Sequence, residues 1–137
     1  MSDNPVPGFS LSARLNSFGY ALEGLAFMLK SQHNAWLHVA ASVVVILVAS
    51  FLQVHVADWR WLVAAMAMVW IAEGFNTAVE HVCNVVSPDH SLAVKRAKDV
   101  AAGAVLLAAL AAAIIGLLTL WPYVETLLAV LRGPISI

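Results

Sequence analysis

The sequence predicts an all-α membrane protein, with three transmembrane helices preceded by an N-terminal amphipathic helix at the membrane interface. Three observations carry that expectation. Of the 137 residues, 62% are hydrophobic and 11% charged, with a mean hydropathy of +0.88, which argues against a water-soluble globular domain. Three apolar stretches, at about 36–53, 61–82 and 100–121, each reach the roughly 17 to 25 helical residues needed to cross a hydrocarbon core of about 30 Å. No alternating strand pattern of the barrel type is present, so each span must satisfy its own backbone as a helix.

The first nine residues, polar and Pro-rich, are expected to be disordered, and they lack the basic start and apolar run of a cleavable leader. From about residue 10 to 33, Leu15, Phe18, Leu22, Leu25, Phe27 and Leu29 interleave with Arg14, Asn16, Glu23 and Lys30. This is the pattern of a helix lying in the interface, with Ser10 or Ser12 as its cap. Lys30 to Asn34 forms the polar bend into the first span, where His33 and Asn34 cap or shape the turn.

Arg14 and Lys30 precede the first span, and Lys95, Arg96 and Lys98 stand between the second and third. The positive-inside rule then places the N-terminus and that second connection in the cytoplasm. Trp36, Trp59, Trp61 and Trp121 fall near span ends, as belt residues would. Ser87, Pro88 and Asp89 read as a turn. The third span, rich in Ala and Gly from Ala101 to Gly116, is the expected packing helix. Residues 122–137 are too short to span again, leaving a tail that lies at the outer interface or is loosely ordered.

The second span carries Glu73, Asn76 and Glu80. Offsets of three and seven residues put them on one helical face, with the carboxylates roughly 10 Å apart along the axis. A charge at membrane depth costs on the order of 3 kcal/mol or more without a partner or a water-filled cavity, so such a stripe is read first as a functional site. A polar seam that only holds helices together is the bland reading. Lys98 and Asp99 stand just before the third apolar run, on the side to which Glu80 projects. A carboxylate to hold Mg2+, a lysine to neutralise phosphate oxygens and a deeper carboxylate to take a hydroxyl proton are parts that phosphoryl transfer requires.

No phosphate loop, dinucleotide fingerprint, kinase catalytic loop or zinc-ligand spacing occurs in the sequence. No basic block points to nucleic acid as a partner. Cys83, the single cysteine, excludes an intramolecular disulfide and is expected to be an inert small residue. His38 reads either as a hydrogen-bonded interfacial histidine or as an active-site contact. His81 and His90 are expected to be solvated or at headgroup level.

Around these residues the chain resembles the small prokaryotic diacylglycerol kinase family, including its undecaprenol kinase branch. The likeness rests on Ala72-Glu73-x-x-Asn76-Thr77-Ala78-Val79-Glu80 and on the run from Lys95 to Leu106, which begins Lys95-Arg96-Ala97-Lys98-Asp99. Ser17-Phe18-x-x-Ala21-x-x-Gly24-Leu25 and His33-Asn34-Ala35-Trp36-Leu37-His38 add to it.

The resemblance implies a homotrimer in the inner membrane that moves the γ-phosphate of Mg-ATP to the primary hydroxyl of a lipid alcohol, diacylglycerol or undecaprenol. By the same likeness Glu73 matches the catalytic base and, with Asn76, meets the lipid. Glu80 matches a ligand of nucleotide-bound Mg2+, and Lys98, Asp99, Asn76 and Arg14 match nucleotide or phosphate contacts. Features around Ser87-Pro88-Asp89-His90 and Asn34-x-x-x-His38 lean to the undecaprenol branch.

Two positions depart from the family pattern: Gln32 stands where a second metal-binding Glu is usual, and Asn84 where Asp is common. Both changes remove negative charge, which favours weaker metal binding or an impaired or non-enzymatic relative, a membrane scaffold that binds lipid or nucleotide without turnover. A proton or ion pathway built on Glu73 and Glu80 is a third reading, weakened because the third span offers no intramembrane polar partner.

Overall fold

Four helices make up the fold in the computed structural model, which describes residues 10–87 and 91–133: α1 (Leu11–Ser31), α2 (His33–Phe51), α3 (Val56–Val86) and α4 (Leu92–Arg132). The expected disorder of residues 1–9, the turn residues Pro88 and Asp89, His90 and the last four residues lie outside the described residues. Helices α2, α3 and α4 are each long and apolar enough to cross a bilayer. At 1.5 Å per residue, the 31 residues of α3 and 41 of α4 run for about 46 and 61 Å, so both extend beyond a hydrocarbon layer of about 30 Å.

Ser10 is the cap that starts α1, its side chain accepting from the Ala13 amide at 3.4 Å. The helix leaves its apolar residues in the open: Leu15, Phe18, Leu22 and Leu25 are all exposed, and Met28 in its last turn is its buried residue. Met28 packs beside Gly74 of α3, where a Cβ would stand 3.9 Å from its sulfur. The neighbouring Phe27 meets the His81 ring edge-on at 4.7 Å, so His81 is engaged in a ring contact beyond the solvated role expected of it. Gln32 takes an extended conformation between α1 and α2 and makes the bend.

The turn from α2 to α3 closes as a Schellman motif. Gln53 adopts a left-handed φ of 52°, its amide donates to the Ser50 carbonyl at 3.2 Å, and the Val54 amide donates to Ala49 at 3.0 Å. Val54 and Ala49 are both buried and join Leu62 as the apolar core, with Val45, Trp59, Leu120 and Tyr123 packed around them. Tyr123 donates its hydroxyl proton to Asp58 at 2.5 Å and accepts from the His55 amide at 3.1 Å. At the other end of the same pair of helices Lys98 bonds Asn84, so α3 and α4 run antiparallel along their lengths.

Helix α4 does not stop near Trp121, where the expected span ended; it continues through Pro122 to Arg132. Proline removes one backbone donor, but local bonds bridge the step. Trp121 Nε1 donates to Glu125 at 2.8 Å and Thr126 Oγ1 to the Pro122 carbonyl at 2.9 Å. Helix α4 is the packing helix expected of it, lying along α3 with Val105 and Ala108 buried, although a Cβ at Gly103 or Gly116 would meet nothing within 4 Å.

Candidate active site

The apolar core lies at the Tyr123 end of the bundle, and the polar residues gather at the other. Helix α3 turns one face toward α2 and α4, and along it Val69, Glu73, Asn76, Thr77 and Cys83 are buried. Glu73 is 1% exposed, and neither of its carboxylate oxygens has a hydrogen-bond partner among the described residues. Oδ1 of Asn76 is likewise buried and unpartnered. Thr77 spends its hydroxyl on the Glu73 backbone carbonyl at 2.9 Å, a local bond that leaves the carboxylate untouched. Buried polar groups usually find partners, so an unsatisfied carboxylate and amide one turn apart mark a place prepared for something else.

His38 of α2 is the nearest ionisable neighbour, its Nε2 3.8 Å from Oε2 of Glu73. Two turns further along α3, the half-buried Glu80 accepts a 2.6 Å hydrogen bond from Nε2 of Gln32. The bend residue thus reaches α3 and meets the second carboxylate. Next on the same face, Asn84 accepts from Lys98 Nζ at 2.7 Å, which holds the lysine one turn beyond Glu80. Asp99 points elsewhere: it pairs with Lys95 at 2.8 Å on the exposed side of α4. Arg14, exposed near the start of α1, is 18 residues and about 27 Å of helix from Gln32.

The structure therefore assembles Gln32, Glu73, Asn76, Glu80 and Lys98 along one seam, and leaves Asp99 and Arg14 outside it within the protomer. Two members escaped the sequence reading. Ser42 and Trp70 bond to each other at 3.3 Å across α2 and α3, beside His38. Their signal was spacing: Ser42 follows His38 by four residues, Trp70 precedes Glu73 by three, and Trp70 is the one tryptophan far from a span end.

Among the described residues no three His, Cys, Asp or Glu side chains converge as a closed metal cage. Magnesium does not need one, since it commonly binds through one or two carboxylates, waters and substrate phosphates. Glu80 supplies one such carboxylate, and the Gln32 amide, now donating through nitrogen, offers a carbonyl oxygen if it turns over. The donor set fits a nucleotide-borne cation.

Residues 19–120 match the family model described as prokaryotic diacylglycerol kinase. The chain belongs to that family. It is 42% identical over 104 residues to a diacylglycerol kinase of Synechocystis, an alignment covering 74% of this chain and 59% of that protein. To an undecaprenol kinase of Bacillus subtilis it is 30% identical over 112 residues, covering 82% of this chain and 91% of the relative. The chain thus spans less than two thirds of the first relative's length and nearly all of the second's. The matched region contains the whole seam from Gln32 to Lys98, whereas Arg14 and the end of α4 fall outside it.

Proposed function

We propose that this protein is a lipid kinase that transfers the γ-phosphate of ATP to the primary hydroxyl of a membrane lipid alcohol, diacylglycerol or undecaprenol. The observation that carries the reading is Glu73, a carboxylate buried at mid-helix with both oxygens unpartnered, on the same face as a lysine-bearing end. Family membership supports the reaction class, and both named relatives are lipid kinases.

In this mechanism Glu73 takes the proton of the lipid hydroxyl as its oxygen bonds to the γ-phosphorus. The bond from that phosphorus to the β,γ-bridging oxygen breaks, ADP leaves, and the lipid monophosphate keeps the transferred group. Asn76, with its open Oδ1, orients the hydroxyl beside Glu73. Lys98 leaves Asn84 to meet phosphate oxygens, where a cation offsets the charge that builds on transfer. Glu80 and the Gln32 carbonyl would hold Mg2+, which when bound supplies charge neutralisation on the triphosphate. Asp99 and Arg14 complete the nucleotide contacts from the exposed side of α4 and from the surface helix.

The seam lies at the end of the bundle nearest Lys95, Arg96 and Lys98, which the positive-inside rule assigns to the cytoplasm together with the N-terminus. ATP then arrives from the cytoplasm while the alcohol remains in the inner membrane. A homotrimer would close the open flanks of so small a protomer and bring Arg14 of one copy toward the seam of another.

Labelled ATP incubated with the purified protein in mixed micelles containing either lipid tests the proposal. Label in phosphatidic acid or in undecaprenyl phosphate names the substrate. Label in neither, with nucleotide binding intact, would make the chain a non-enzymatic relative.

A further inference from the structure

His38 enters the seam from α2, where it stands beside Glu73 and also lines the apolar interior. Its Nε2 stands 3.8 Å from the carboxylate, and no hydrogen bond satisfies that atom among the described residues. The imidazole meets the Trp70 ring edge-on, with centroids 6.3 Å apart and planes at 71°. Trp70 is itself tied to α2 through its bond to Ser42. The indole therefore limits how far the imidazole can swing, and the Ser42 bond holds the indole in place.

On its other side His38 forms part of the wall of a groove of about 480 Å³ between α2, α3 and α4. Beyond His38, Ser42 and Trp121, that wall is Ala, Gly, Val, Leu and Met. Such a lining offers few polar partners to hold an ordered water or to compete for His38 on that side. His38 is thus the polar group that α2 presents to the buried carboxylate.

We propose that His38 is a positioning residue for Glu73, a bridge from α2 that fixes the direction in which the carboxylate faces its substrate. The assignment rests on the reading of Glu73 as the base. A neutral imidazole carries one N–H, so it can donate to a carboxylate without bringing a charge into the membrane. Closing the gap from 3.8 Å to ordinary hydrogen-bond length takes a shift of about 1 Å, within reach of a small rotation at either side chain. Without the bridge the carboxylate would relax toward other rotamers, and a base displaced by an ångström loses much of its advantage.

The experiment compares the wild type with His38→Ala, His38→Gln and Trp70→Phe, each purified as the full chain. Steady-state kinetics with Mg-ATP and the lipid alcohol are paired with the infrared carboxyl band that disappears in Glu73→Gln. His38→Ala is expected to lower kcat about 10- to 100-fold, the scale of an ångström-sized misplacement, and to shift the Glu73 band with no nucleotide or lipid present. The KM for Mg-ATP should stay within about twofold, as expected when uniform binding is unaltered. His38→Gln, which keeps an N–H donor at similar reach, should recover most of kcat and the wild-type band. Should His38→Ala fail to fold, Trp70→Phe is expected to shift the same band by a smaller amount. An unmoved band, or a loss confined to KM, would overturn the assignment. A wild type that shows the band shift between variants yet phosphorylates no lipid would refute the kinase reading and leave the bridge standing.

Discussion

Gln32 and Glu80, 48 residues apart, meet through a 2.6 Å hydrogen bond in which the amide nitrogen donates to the carboxylate. The bond joins the bend between α1 and α2 to the polar face of α3, and it occupies the carboxylate proposed to receive Mg2+. A neutral amide donates to Glu80, where a second carboxylate would repel it. Replacing Gln32 by Glu removes that donor and adds a negative charge. Gln32→Glu is expected to lower the apparent Mg2+ requirement about tenfold, which corresponds to ~1.4 kcal/mol. Titrating Mg2+ at fixed ATP, and binding of Mn-nucleotide followed by electron paramagnetic resonance, check it.

Lys98 and Asp99 are neighbours in sequence with different surroundings. The lysine bonds Asn84 on the seam and the aspartate pairs with Lys95 on the exposed side. Lys98→Met is expected to raise the KM for ATP by about 10- to 100-fold, the worth of one hydrogen bond to a charged group. Asp99→Asn, which breaks an exposed i,i+4 pair, should leave thermal stability nearly unchanged. Kinetics and thermal unfolding in detergent measure the two effects.

At the opposite end, Tyr123 and Asp58 bind α4 to α3 next to the apolar core. Tyr123→Phe leaves the half-buried Asp58 short of its donor and is expected to lower the midpoint of thermal unfolding. The double variant with Asp58→Asn should cost less than the sum of the two single changes, because the partners share one interaction. Activity per folded molecule is expected to persist, since this brace lies far along the bundle from Glu73.

Gln53 holds a left-handed conformation at the position of a Schellman turn where glycine is favoured. Gln53→Gly is expected to stabilise the fold by about 1 kcal/mol through relief of that strain. A higher midpoint of thermal unfolding, with unchanged kcat, is the expected observation.

Much of the fold was legible because a membrane allows so few choices. Long apolar runs had to be helices, and Ser10 and Ser12 marked where the first one is capped, a choice that only the structure resolves to Ser10. Glu73, Asn76 and Glu80 stood out for the same reason, since a charged residue amid aliphatic neighbours is conspicuous in any reading of the chain. The end of α4 was hidden by Pro122, which looks like a stop in sequence. Its continuation is carried by the local bonds of Trp121 to Glu125 and Thr126 to Pro122 and, across the bundle, by the bond of Tyr123 to Asp58, which exists only once the helices are docked. Partnerships between helices were illegible for a related reason. Whether Gln32 meets Glu80, or Trp70 meets Ser42, depends on the axial register of α2 against α3, and no spacing within one helix encodes that.

The central claim is that the Glu73 carboxylate accepts the proton of a lipid hydroxyl. The most direct measurement is the single-turnover rate of phosphate transfer in Glu73→Gln, made in parallel with nucleotide binding. The account predicts a rate lower by about 10²- to 10⁴-fold with binding of Mg-ATP retained. Transfer at the wild-type rate in that variant would contradict it.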